Sequence, residues 1–225
     1  MAIEKEIKLS FDGDGSDALA WLTRKAGQDG ERKTVSNAYY DTPEHALARA
    51  GMALRVRQIG SAWRQTLKTR GGARDGLHVR HEWELPLDTP ALDIEALLAA
   101  CDAPQAAAAL RAHAARLEAV FSTDFTRTAW TLTLPEGRIE AAVDLGEVHA
   151  DRPGAPPGRQ SRVPIAEVEL ELIDGDEAAL ESLAAQLLSA LPGLRRDDVS
   201  KAQRGYLLLR AQHAEQHPAQ GQEPS

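Results

Sequence analysis

Polar and apolar positions alternate from the start of the chain. In MAIEKEIKLS, Glu4, Glu6 and Lys8 share one parity and Ile7 and Leu9 the other, the period of a β-strand with two unlike faces. The same period returns further on and predicts strands over Ile3–Ser10, Ser36–Tyr40, Ala53–Ile59, Ala62–Thr69, His78–Leu87, Thr126–Leu134, Arg138–Leu145 and Val163–Ile173. Arg55 and Arg57 oppose Leu54 and Val56, and Arg80, Glu82 and Glu84 oppose Val79, Trp83 and Leu85. Glu140 and Asp144 oppose Ile139, Ala141 and Val143, and Glu167, Glu169 and Glu171 oppose Val168, Leu170 and Leu172. One face is aliphatic, the other charged.

Helical patterns lie between the strands. Ser16 caps a predicted helix through Ala18, Leu19 and Leu22, and Thr42-Pro43-Glu44 starts another that Gly51 stops. Leu92–Leu117 reads as Ala-rich helix broken at Pro104, and Asp176–Leu191 carries Leu180, Leu183, Ala184, Leu187 and Leu188 at helical spacing. A short helix follows Ser200. Asp151–Arg162, rich in Pro, Gly and Arg, reads as a flexible loop, and 211–225 as a disordered polar tail. Eight strands with mostly antiparallel connections are enough to close a barrel. The expected fold is therefore α+β: one domain over 1–210, a closed eight-stranded antiparallel β-barrel with a charged interior and amphipathic helices on its aliphatic outside.

Composition narrows the function. A net charge of -8 argues against a general nucleic-acid binder, and the single Cys101 excludes an intrachain disulfide. No apolar run spans a membrane, and Glu4 and Glu6 stand where a secretory leader needs basic residues, so a cytoplasmic protein, monomer or homodimer, is expected. Zinc is not expected, because the histidines form no HExxH or His/Cys cluster, and Gly71-Gly72 lacks the Lys-Ser/Thr of a P-loop. Trp63, Trp83 and Trp130 read as outer packing, and Cys101 as a small buried hydrophobe.

A sheet with one wet face accounts for any one of these strands. What changes the picture is segregation by sign: acids gather on the first strand and the last two, bases on the middle strands and at Lys68. Like charges two residues apart on one face repel unless an opposite charge sits among them. For clustered carboxylates the natural counter-ion is Mg²⁺ or Mn²⁺; for clustered Arg and Lys it is a polyanion such as a phosphate chain.

The ordered set Glu4-x-Glu6-x-Lys8, YYDTP at 39–43, LRVR at 54–57, TLK at 66–68 and VELEL at 168–172 resembles the CYTH, or triphosphate tunnel metalloenzyme, superfamily. GGARDGLHVRHEWE, FSTDFTRTAW, DLGEV and DVSKAQRGY are similar to the CYTH domain of bacterial inorganic triphosphatases. The resemblance implies a tunnel of eight antiparallel strands, open at both ends, that removes the terminal phosphate of a triphosphate with a pair of Mg²⁺ or Mn²⁺ ions. It implies metal ligands at Glu4, Glu6, Asp144, Glu169 and Glu171, with Asp144 and Glu171 at a shared ion. Phosphate-binding roles are implied for Lys8, Arg55, Arg57, Lys68, Arg80, Arg127 and Lys201, the last on a helix that plugs one end of the tunnel. Glu6, Glu171 and Lys201 are the implied catalytic residues, and Arg204 shares the helix face of Lys201. Many relatives continue into a histidine-rich CHAD domain; functions that depend on it are not carried over.

The expected activity is hydrolysis of inorganic triphosphate. A thiamine- or nucleoside-triphosphate hydrolase, an adenylate cyclase of the same fold and a non-catalytic polyphosphate binder are the alternatives. The small aromatic share, 4%, favours a bare phosphate chain over a base or thiazole.

Overall fold

The protein is described by a computed structural model over residues 2–69, 71–150 and 161–216. Its elements follow in the order β1 (Ala2–Ser10), α1 (Ser16–Ala26), β2 (Glu31–Asp41), α2 (Ala46–Arg49), β3 (Met52–Ile59), β4 (Ala62–Thr69), β5 (Gly72–Arg74), β6 (Leu77–Leu87), α3 (Ile94–Ala100), α4 (Pro104–His113), β7 (Glu118–Leu134), β8 (Gly137–His149), β9 (Arg162–Gly175), α5 (Ala178–Ala190), β10 (Arg195–Arg196) and α6 (Lys201–Gln216).

Eight strands close into an antiparallel barrel in the order β1-β9-β8-β7-β2-β3-β4-β6 and back to β1. β1 makes the closure, pairing with β9 on one side (Glu6 opposite Glu171, Lys8 opposite Glu169) and with β6 on the other (Glu4 opposite Arg80). This register puts first-strand carboxylates beside a base on one neighbour and an acid on the other. β5 continues the line of β4 along β6, and β10 lies beside the end of β1. At the break between β4 and β5 a β-carbon on Gly71 would fall 1.6 Å from the carbonyl oxygen of Val79, so only glycine fits.

Outward aliphatic side chains form two cores under the helices. α1 and α5 cover Ile7, Leu9, Ile139, Val143, Val168 and Leu170 with Leu22, Leu180, Leu183 and Leu187, all buried. On the opposite wall Leu47, Leu97 and Leu110 pack over Leu54, Leu67 and Trp83, with Cys101 buried among them. Each fully buried leucine contributes roughly 1.5–3 kcal/mol, which ties strand parity to fold stability. No helix among the described residues is long and apolar enough to cross a membrane.

Several boundaries differ from the sequence pattern. α1 begins at Ser16 with Gly15, at φ 70°, as its cap, while Asp14 accepts from the Ser16 amide. Pro43 and Glu44 form a turn, and α2 starts only at Ala46, its amides held by the side chains of Asp41 and Thr42. β7 and β8 extend well past the expected Thr126 start and Leu145 end. The added lengths carry Phe121, Phe125 and Val148, which meet Val35, Tyr39, Ile165, Leu208 and Leu209 in a third apolar cluster. These residues share parity with the charged positions, so the inner face is charged along one stretch and apolar along another. α6 packs against that apolar belt so closely that a β-carbon on Gly205 would lie 2.2 Å from the Phe121 ring. One end of the tunnel is therefore stoppered, in line with the implied plug and against a passage open at both ends. α6 runs to Gln216, past the Ala211 start of the expected tail. Of the expected loop Asp151–Arg162, residues 151–160 lie outside the described residues, as does the rest of the tail, while Arg162 already opens β9.

Candidate active site

Charged side chains from all parts of the barrel wall converge on one cavity of about 950 Å³. Next to the stopper, Asp144, Glu167 and Glu169 bring carboxylate oxygens within 4.8 Å of one another. The Lys201 ammonium, at the first residue of α6, stands among them, 2.6 Å from Asp144 Oδ2 and 2.9 Å from Glu169 Oε1, and also donates to Glu167. Lys8 lies 3.5 Å from Glu167 and 3.3 Å from Glu169. Arg127 grips Asp144 with two hydrogen bonds, at 2.8 and 2.7 Å, and reaches Glu169 as well. Burial disfavours the Lys201 charge, but Asp144, Glu167 and Glu169 outweigh it and hold the ammonium well above the usual lysine range. Here every charge finds its partner inside the chain.

Further along, β1 meets β6 and β4. Lys68 donates to both Glu4 oxygens, at 2.7 and 2.9 Å, and lies 3.0 Å from Glu82. Arg80 bridges Glu4 at 2.6 Å and Glu6 at 2.7 Å. Burial works to raise the Glu4 carboxyl, but Lys68 and Arg80 pull it well below the usual carboxylate range. Glu171, facing Glu6 across the β1–β9 ladder, has no ion pair among the described residues. Burial and then the Glu4 charge push its carboxyl up to about 7, with Lys68 only partly offsetting them.

The third group is basic. Arg55 is 8% exposed, and its Nε is buried without a hydrogen-bond acceptor. Arg57 donates through Nε to Asn37 Oδ1 at 3.0 Å. Neither guanidinium has a carboxylate partner within ion-pair distance among the described residues, in contrast to Lys8, Lys68, Arg80, Arg127 and Lys201. Burial, then Arg55 and Arg127, lower the Arg57 guanidinium to about 10. Burial works against the Arg55 charge too, but Tyr39, which accepts a hydrogen bond from it, and the Glu82 and Glu4 carboxylates hold that guanidinium above its ordinary range, so Arg57 is the cation with the least compensation among the described residues.

Of the twelve residues singled out in the sequence for metal or phosphate, eleven, Glu4, Glu6, Lys8, Arg55, Arg57, Lys68, Arg80, Arg127, Glu169, Glu171 and Lys201, line this cavity, and the twelfth, Asp144, is held by Arg127 and Lys201 behind it. Their grouping is not the expected one. In the β8–β9 register Asp144 opposite Glu167 and Glu140 opposite Glu171 are four residues apart, so Asp144 belongs with Glu167 and Glu169, and Glu171 with Glu4 and Glu6. Glu167 was missing from the expected set, although it stands in the same Glu-x-Glu-x-Glu alternation. Tyr39 and His78 also line the cavity. Burial opposes ionisation of the Tyr39 phenol, but Arg55, Arg57 and Lys201 around it lower its pKa.

Hard carboxylate oxygens suit a divalent cation, and the crowding of Glu171 against Glu4 and Glu6, with no ion pair to it among the described residues, is what a bound cation would relieve. The Asp144–Glu167–Glu169 set offers the same donors but already surrounds an ammonium.

Comparison with known proteins agrees with this geometry. An inorganic triphosphatase of Haemophilus influenzae is 33% identical over 217 residues, covering 92% of this chain; the chain spans 55% of that relative's length. Among solved structures, a Hippeastrum protein described as a candidate adenylyl cyclase with a dominant triphosphatase activity superposes with a TM-score of 0.62 at 18% identity, covering 93% of this chain and 96% of that one. A candidate adenylate cyclase of Bacillus halodurans gives a TM-score of 0.56 at 20% identity, covering 91% and 98%. These two likenesses show the fold. The sequence profile of the CYTH domain matches residues 2–206, and with the closed barrel and its two-signed interior this places the chain in the CYTH domain family.

Proposed function

We propose that the chain hydrolyses the terminal phosphate of inorganic triphosphate with Mg²⁺ or Mn²⁺. One observation carries this reading: among the described residues the cavity holds under-compensated charge of both signs, the Arg57 guanidinium lowered by burial, Arg55 and Arg127, and the Glu171 carboxyl raised by burial and Glu4. A metal-complexed phosphate chain supplies both. The triphosphatase relative at 33% identity supports the same substrate class, and the CYTH family is metal-dependent in general.

In this reading Glu4, Glu6 and Glu171 would hold a cation, and Asp144 and Glu169, joined by Glu167, would offer further oxygen donors on the stoppered side. A bound cation supplies phosphate-oxygen charge neutralisation and a water of lowered pKa. Arg55 and Arg57 fork onto phosphate oxygens, where planar guanidinium donors match the geometry. Lys68 and Arg80 now satisfy Glu4 and Glu6. Both basic groups stand where they would reach the phosphate chain if a cation took over those carboxylates. Lys8, Arg127 and Lys201, held in place by Asp144, Glu167 and Glu169, would offer fixed N–H donors to the charge that builds on the equatorial oxygens of the transferred group.

Phosphate release measured on tripolyphosphate, pyrophosphate, ATP and thiamine triphosphate, with Mg²⁺ or Mn²⁺, tests the reading. Turnover highest on tripolyphosphate is expected; binding without turnover on any substrate would make the chain a polyphosphate binder. An organic triphosphate is the second reading, favoured by Ile3 and Ile173, 54% and 45% exposed beside the cavity.

A further inference from the structure

Asp41 is fully buried, yet no cation pairs with it among the described residues. Its charge is met by four hydrogen-bond donors. Oδ1 accepts from the amides of Thr42 at 2.7 Å and Leu47 at 2.8 Å; Oδ2 accepts from the amide of Ala48 at 2.9 Å and the Tyr206 hydroxyl at 2.8 Å. The Thr42 bond is local, and those from Leu47 and Ala48 tie the end of β2 to α2. The fourth comes from α6, 165 residues away in sequence.

That fourth bond joins two carriers of site residues. α6 holds Lys201 one turn and a half before Tyr206. On the other side, α2 leads through Gly51 directly into β3, which carries Arg55 and Arg57. The Tyr206 ring is wedged as well, edge-on to Phe121 at 5.1 Å and to His45 at 5.4 Å, while Phe121 stacks on Tyr39 at 4.5 Å. Burial and the Asp41 carboxylate push the Tyr206 phenol well above its ordinary range, which keeps the proton on the donor.

We propose that Asp41 and Tyr206 are positioning residues, a latch that fixes how deep Lys201 stands in the tunnel relative to Arg55 and Arg57. The latch touches no substrate. It acts through the stopper helix, and its kinetic part rests on the triphosphatase reading. Because the donors nearer the mouth do not depend on α6, loosening the latch weakens the contact of Lys201 with the transferred phosphate more than it weakens binding of the whole chain.

Tyr206→Phe keeps the ring contacts and removes only the hydroxyl, and Asp41→Asn keeps the shape and removes the charge. The expected result for either is a kcat lower by about tenfold, the factor that corresponds to one lost charge-assisted hydrogen bond, with KM within about twofold. Set in a Lys201→Ala background, the same change should lower kcat no further, because the latch works through that lysine. Hydrogen exchange supplies a readout free of activity: amides of α6 and α2 should exchange about tenfold faster in Tyr206→Phe while those of β8 and β9 stay unchanged. Unchanged exchange in α6, or an equal fall of kcat with and without Lys201, overturns the latch. A wild-type chain that turns over no triphosphate would overturn the functional reading instead, and the exchange result would still decide the latch.

Discussion

The inner wall of the tunnel has two charged regions that solve the same electrostatic problem differently. Beside the stopper, Asp144, Glu167 and Glu169 are matched by Lys8, Arg127 and Lys201 at hydrogen-bond or ion-pair distance. Nearer the middle, Arg55, Arg57 and Glu171 face the same hollow with no such partners. Removing two charges from water is costly, and the attraction between them repays it only when the geometry is good. The first region is therefore part of the folded framework, and the second is where the proposed metal-complexed phosphate chain would find charge the fold leaves under-compensated. Neither residue type nor burial separates the two; only the partners do.

The largest effect expected from this contrast is on stability. Glu167→Ala leaves two buried lysine ammoniums short of a carboxylate and should cost about 3–5 kcal/mol in denaturant unfolding; a loss under about 1 kcal/mol would erase the distinction between the regions. Next is Arg57→Ala, which should lower kcat/KM on tripolyphosphate about 10²–10³-fold, roughly 2.7–4 kcal/mol of transition-state stabilisation. Its melting temperature should stay level or rise, since a crowded cation is removed; a clear fall would place Arg57 in the framework instead. Mg²⁺ with tripolyphosphate should then raise the melting temperature, by about 2.7 kcal/mol of stabilisation at a hundredfold excess over Kd, and Arg57→Ala should blunt that rise.

The smallest effect concerns Glu171 in metal-free protein. Its folded-state pKa lies above the unfolded value, from 4.5 to about 7, so the folded chain holds this proton more tightly. The penalty for ionising it is absent below about 4.5 and complete above about 7, which means stability is lost as pH rises through that window. Glu171→Gln should accordingly be more stable than wild type at pH 8, on the order of 1 kcal/mol after screening in an open tunnel, with the gain vanishing at pH 4. An equal difference at both pH values would mean that Glu171 is not crowded.

Much of this was legible in the alternation alone. Every predicted strand is present, because hydrophobic parity is written locally and each outward leucine has a helix to meet. Which charges pair was not legible, since that depends on register between strands. Glu167 stood in plain view, but only the β8–β9 ladder sets it opposite Asp144. The apolar stretch of the interior was hidden for another reason: Phe121, Phe125 and Val148 lie beyond the expected strand ends, where aromatic and aliphatic residues break the charged pattern. The bond from Tyr206 to Asp41 leaves no periodic trace at all.

The stopper has one more consequence. A barrel corked by α6 against Phe121 is a cul-de-sac. If the proposed hydrolysis takes place, a product lodged nearest the cork could not leave past α6 and would have to wait for whatever lies in front of it. On that reading, departure order and inhibition by the larger fragment would follow from the architecture before any chemistry begins.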